Sequence, residues 1–230
     1  MKRLWISLLT VALLGGCGDD ADEDGEGNGS PEGGSPAGAA RVEYSDQEQK
    51  ALLSLARRTL NAAVAGEEPP RVDEAQLGAK LKAEKGCFVT LNKAGELRGC
   101  IGYIFPNGPL YKSVMANAVN AALRDRRFRP VRMSELTEID IEISVLTVPQ
   151  PLAFQSFDDL LGKLRKDVDG VVFRAGSKQS TYLPTVWEKI PDKKAFMMAL
   201  SRKANLPLPE ESWTLDVVTI LTYQAEVFGE

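Results

Sequence analysis

The 230-residue sequence contains no histidine. Its absence excludes Ser-His-Asp and Cys-His nucleophilic machinery, His-ligated zinc or non-haem iron, and an imidazole proton shuttle near neutral pH. Cysteine is nearly as scarce, and three residues cannot make a Cys₄ zinc or iron–sulfur site within one chain. The N-terminal apolar run, residues 4–14, is too short to cross a bilayer: at ~1.5 Å per residue it covers ~16 Å of a ~30 Å hydrocarbon core. A strong charge of one sign is also missing from the body of the chain. Of 28 bases and 32 acids, two bases fall in residues 1–17 and seven acids in 18–40, leaving 26 bases and 25 acids for residues 41–230. So neutral a domain gives no electrostatic reason to expect nucleic acid as a partner. Chemistry is left to carboxylates, Arg and Lys, hydroxyls, backbone amides or a lone thiol, and neither a metal nor an organic cofactor is called for. What is present, 43% hydrophobic and 26% charged residues, is a soluble globular balance.

Lys2 and Arg3 ahead of the apolar run form a secretory-signal pattern. The run closes in Leu14-Gly15-Gly16-Cys17, which resembles the lipobox of bacterial lipoproteins. The resemblance implies that the Cys17 thiol is acylated and becomes the new N-terminus, anchoring the chain to a membrane at the cell envelope, on the exported side. Residues 18–40 are dominated by Gly, Ser, Pro, Asp and Glu, too poor in apolar surface to offset chain entropy. They are expected to act as a tether with an r.m.s. span of ~25–30 Å. The organisation is thus a signal peptide over 1–16, the lipidated cysteine and acidic tether over 17–44, and one domain over 45–230.

Within that domain Ser45-Asp46-Gln47-Glu48 is a capping box, and Leu52, Leu53, Leu55, Ala56, Leu60, Ala63 and Val64 behind it predict a helix over 46–65. A weaker helix is expected over 74–84. Residues 87–104 read as a hairpin. Asn92-Lys93-Ala94-Gly95 suits a type I turn with Gly95 as a left-handed bulge, pairing Leu91 with Leu97, Val89 with Gly99 and Cys87 with Ile101. In that register Thr90 faces Arg98, and Cys100 lies beside Arg98 on the face opposite Cys87, so no Cys87–Cys100 disulfide is expected. A helix over 110–124 follows. Ile139, Ile141, Ile143 and Val145 then alternate with polar residues as a strand with one buried face. Short strands over 170–174 and 180–183, helices over 156–165 and 192–204, and one long strand over 215–228 complete the chain. The fold class is α+β, a largely antiparallel sheet flanked by helices.

Leu97-Arg98-Gly99-Cys100-Ile101-Gly102 resembles the signature of the AMMECR domain family, whose prokaryotic members include protein A of the AmmeMemoRadiSam system. GCFVTL at 86–91, AALRDRRFRPV at 121–131, IEISVLT at 141–147 and YLPTVW at 182–187 follow in the family's order, with Arg126 and Thr185 standing where Pro and Gln are usual. The resemblance implies a larger antiparallel sheet with helices, a smaller second subdomain, and a cleft between them lined by the signature. It also implies Memo-like and radical-SAM proteins as partners.

From the residues themselves, Gly99 and Gly102 would let a ligand or another backbone approach closely. Arg98 offers a forked donor for a carboxylate or phosphate, or a structural salt bridge. Cys100 reads three ways: a nucleophile if a cation lowers its pKa, a ligand-facing group without catalysis, or a small buried hydrophobe. The arginines over 124–132, Arg127 among them, either pair with Asp125 and Glu135 or hold an anion. Glu142 faces the cleft or pairs with one of them. The expected site is therefore Cys100 as catalytic thiol, with Arg98, Gly99, Gly102, Thr90, Glu142 and Arg127 around a small anionic or peptide-like ligand. The alternative is a non-enzymatic binding or scaffolding module.

Overall fold

The computed structural model describes residues 43–230, so the expected signal peptide, Cys17 and nearly all of the tether lie outside the described residues. The tether's expected last residue, Tyr44, is instead part of the core: it is only 4% exposed and its ring meets Phe228. The capping box forms as read. Ser45 N donates to Glu48 at 2.8 Å and Glu48 N to Ser45 Oγ at 3.3 Å, starting α1 (Asp46–Ala65), which ends in left-handed Gly66. The weak second helix is two fragments, a 3₁₀ turn over Glu74–Gln76 and α2 (Ala79–Lys82), separated at Gly78, which adopts extended backbone.

Strands β1 (Cys87–Lys93) and β2 (Glu96–Tyr103) make the hairpin, and α3 (Leu110–Leu123) crosses behind it. β3 (Ile139–Leu146) follows a 3₁₀ segment over Met133–Glu138. Then come β4 (Gln150–Pro151), α4 (Phe157–Lys163), β5 (Gly170–Ala175), β6 (Lys178–Tyr182), α5 (Lys193–Lys203), β7 (Thr219–Tyr223) and β8 (Ala225–Gly229). Two four-stranded sheets result, ordered β2-β1-β3-β8 and β4-β7-β5-β6, with antiparallel neighbours throughout.

Each sheet buries one face under its own helices. Val89, Leu91, Ile141 and Ile143 of the first pack with Leu52, Leu60, Val114 and Ala118 from α1 and α3. In the second, Phe173 and Ile220 pack with Phe196, Met197, Trp187 and Trp213, and Trp187 stacks on Phe196 with ring centroids 3.7 Å apart. The opposite faces meet each other: Phe88, Cys100 and Leu146 of one sheet close on Val172, Leu221 and Tyr223 of the other. This seam makes the molecule two-lobed. No helix among the described residues is long and apolar enough to cross a membrane.

Two further expectations are corrected. The single strand over 215–228 is two strands in different sheets, broken at Gln224. There Gln224 N donates to Thr147 Oγ1 and Thr147 N to the Gln224 carbonyl, both at 2.9 Å, and the chain crosses from one lobe to the other. The hairpin register also differs. Its turn is the two residues Ala94 and Gly95, both left-handed at φ 52° and 78°, with Lys93 opposite Glu96. Only Ala94 suffers the steric cost of that conformation, on the order of 1–2 kcal/mol. The bulge lies further along, where the register shifts and Arg98 is the extra residue; Leu91 then faces Gly99, Thr90 faces Cys100 and Phe88 faces Gly102. The shift turns Leu97 to the seam, where it packs beside Phe88 and Cys100. It keeps the expected separation of the thiols, for Cys87 belongs to the helix-side core and Cys100 to the seam; both are free.

Candidate functional site

At the margin of the seam the lobes part around a cleft of about 280 Å³. The first sheet contributes Phe88, Thr90, Asn92, Leu97, Glu142 and Ser144, and the second lobe contributes Thr181, Tyr182, Leu183, Thr185, Val186 and Lys203 among others. The even-numbered residues of β1 and β3 face it because those of odd number are claimed by the helices. Thr90 sits directly opposite Glu142 across the β1–β3 pairing.

Among the described residues the Glu142 carboxylate has no hydrogen bond and no ion pair, and burial pushes its pKa up. From the other wall Lys203, the last residue of α5, donates from Nζ to the Thr181 carbonyl at 2.9 Å and lies 4.8 Å from the Tyr182 ring centroid. Burial pushes the Lys203 ammonium pKa down. The two side chains form no ion pair with each other. A carboxylate and an ammonium thus stand half-buried in one cleft, each in surroundings that disfavour its charged form.

The signature residues do other work. The Arg98 guanidinium is held by Glu135, with Nε and Nη2 donating to its two oxygens at 3.0 and 3.1 Å, while Nη1 is buried without an acceptor among the described residues. Arg98 in turn holds the Glu135 carboxyl down to about 2, helped by the Arg132 amide. Arg127 is spent on Asp125, through Nε at 2.9 Å and Nη2 at 2.6 Å, and its Nη2 also donates to the Cys100 carbonyl at 3.1 Å. Asp125 further accepts from the Cys100 amide at 2.9 Å. Burial raises the Asp125 pKa, but the Arg127 guanidinium and the Cys100 and Arg127 amides outweigh it and hold the carboxyl below its usual range. These two clips fix the signature strand to the segment behind α3. The pairing with Asp125 and Glu135 is the bland alternative left open by the sequence.

Both signature glycines are filled by the protein itself. A Cβ at Gly99 would sit 2.2 Å from the Ala121 carbonyl oxygen of α3, and one at Gly102 would sit 2.3 Å from the Cys87 carbonyl and 2.4 Å from the Phe88 ring. Close approach is required, but by backbone and ring rather than by a ligand. Cys100 is 3% exposed in the apolar seam. Burial drives its thiol pKa up, and the Thr90 hydroxyl donating to Sγ at 3.2 Å and the Arg127 charge only partly oppose this. With its charged form disfavoured and its neighbours Thr90, Phe88 and Leu97 standing between it and the cleft, the thiol is poorly set to act as a nucleophile. Of the seven residues expected at the site, the cleft gathers Thr90 and Glu142. Lys203 was missed; the sequence marked it only as a residue near the end of the helix expected over 192–204. Among the described residues no three potential ligands cluster to hold a metal ion.

A larger groove of about 410 Å³ runs past Tyr44, Lys85, Thr147 and Glu226. Its Glu226 carboxylate is already occupied by the Tyr44 amide at 2.9 Å and the Gln49 side chain at 3.2 Å.

Two antiparallel sheets with separate helical layers, meeting along an apolar seam beside a charged cleft, define a two-lobed α+β protein. Comparison with known proteins gives its relatives. The chain belongs to the AMMECR1 family, whose model matches residues 53–228. It is 35% identical over 191 residues to a protein of Methanothermobacter thermautotrophicus, covering 81% of this chain and 96% of the relative. It is 34% identical over 188 residues to one of Methanosarcina barkeri, covering 80% and 91%. The crystal structure of an uncharacterized protein from Pyrococcus horikoshii superposes with a TM-score of 0.72 at 28% identity, over 81% of this chain and 93% of that one.

Proposed function

We propose that this chain is a small-molecule-binding domain whose ligand occupies the cleft between the lobes, contacted by Glu142, Thr90 and Lys203 rather than attacked by Cys100. The observation that carries this is the Glu142 carboxylate, half-buried and without a partner among the described residues. Such a group costs folding free energy, and perturbed charges of this kind gather where a ligand completes the pairing. Thermal shift of the full chain with a panel of amino acids, dicarboxylates, nucleotides and polyamines tests it. A ligand at a hundredfold excess over its Kd adds about 2.7 kcal/mol, which at ~2–4 °C per kcal/mol raises Tm by about 5–10 °C. Thr185→Trp, at the exposed rim of the cleft, should abolish the shift. A panel with no active member, or a shift that survives the substitution, contradicts the proposal.

The N-terminal pattern supports a second part of the proposal: the domain is displayed at the cell envelope on an acylated Cys17. Cys17→Ser should move the protein from the membrane fraction to the soluble fraction, and unchanged fractionation would refute the anchor.

A further inference from the structure

We propose that the ligand of the cleft is a small zwitterion, an α-amino acid with an apolar side chain, its ammonium on Glu142 and its carboxylate on Lys203. This rests on the reading of the cleft as a ligand site. Four charged side chains line the cleft. Glu188 and Lys189 are exposed, whereas Glu142 and Lys203 are half-buried. The latter two have opposite signs, come from different lobes and make no ion pair with each other. Glu142 has no polar partner among the described residues. Lys203 uses one of its three N–H donors on the Thr181 carbonyl and rests its charge on the Tyr182 ring. A purely anionic ligand would leave Glu142 unpaired and repelled, and a purely cationic one would do the same to Lys203. Only a ligand carrying both charges completes both partners.

Size and lining narrow the class further. A cavity of about 280 Å³ lies just below the roughly 300–1,000 Å³ typical of pockets for drug-sized ligands, so an amino acid fits it better than a nucleotide or a long peptide. Leu97, Leu183 and Val186 supply apolar wall for the side chain, and the Thr90 and Asn92 side chains supply hydrogen bonds near Glu142. Because the charges sit on separate lobes, the ligand bridges the seam.

Isothermal titration of the full chain tests this with the apolar L-amino acids one at a time. For any that bind, the matching amino-acid amide, which lacks the carboxylate, and the N-acetyl amino acid, which lacks the ammonium, are titrated too. The expected result is that both analogues bind at least tenfold more weakly than the parent. Glu142→Gln should erase the discrimination against the N-acetyl form alone, and Lys203→Gln the discrimination against the amide alone. The analogue series on the unsubstituted protein keeps the test valid if either variant folds poorly. Equal binding of parent and analogues, or binding only by dicarboxylates or polyamines in a manner blocked by Thr185→Trp, overturns the zwitterion while leaving the cleft as the site. Failure of every probe to bind at the cleft overturns both.

Discussion

Replacing Asp125 by alanine should be among the most damaging single changes near the signature strand. The carboxylate is 4% exposed and takes the Arg127 guanidinium, itself 25% exposed, together with the backbone amides of Cys100 at 2.9 Å and Arg127 at 3.1 Å. Removing one member of a buried charged pair costs about 3–5 kcal/mol, because the partner is left buried and uncompensated. Arg127 can partly rehydrate, which favours the lower end, about 3 kcal/mol. At ~2–4 °C per kcal/mol for a domain of this size, Tm should fall by about 6–12 °C. Urea unfolding gives the free energy, and hydrogen exchange locates it: the Cys100 amide should lose protection before the helix-side amides of β1. Asp125→Asn keeps an acceptor but loses the charge, so it should cost less than the alanine. A loss below about 1 kcal/mol, or an unchanged Cys100 amide, would show that the clip does not hold the strand.

Gly99→Ala should destabilise by about 1–3 kcal/mol through overpacking against the Ala121 carbonyl, whereas Gly95→Ala meets open space and should cost about 1–2 kcal/mol from its φ of 78° alone; a loss below about 1 kcal/mol on urea unfolding of Gly99→Ala would contradict the packing. In a Cys17→Ser background neither Cys87 nor Cys100 should react with a thiol reagent in the native state, and both should react in denaturant; fast native labelling of Cys100 would reinstate it as a nucleophile. Glu142→Gln should raise stability at neutral pH. The folded Glu142 pKa is raised by burial, so its favourable contribution is complete below the unfolded value of about 4.3 and is lost as pH rises through the folded one. The gain from glutamine should therefore shrink below about pH 4, and a loss of stability at pH 7 would mean that Glu142 is a structural partner.

Much of the fold was legible because local chemistry agreed with tertiary packing. Ser45 and Glu48 mark the start of α1, and the isoleucines of β3 announce which face is buried. The hairpin register failed because the turn chemistry that penalises a left-handed alanine is a weak local preference. The packing of Leu97 into the seam and of Gly99 under α3 decides the matter instead. The break at Gln224 has no local signal at all, since alternation runs through it and its cause is Thr147, far away in sequence. For the site, strand parity was enough to aim Thr90 and Glu142. Lys203 was hidden because it reaches the cleft from the other lobe. Arg98, Arg127 and Cys100 drew attention as reactive residue types, but Glu135, Asp125 and the apolar seam had already claimed them.

A nitrogen–proton correlation titration of the isotope-labelled chain with a binding amino acid asks most directly whether one ligand joins the lobes. Amides of Thr90 and Glu142 on one side and of Thr181 and Lys203 on the other should shift together and fit a single Kd. Shifts confined to one lobe, or gathered around Tyr44 and Glu226 in the larger groove, would contradict it.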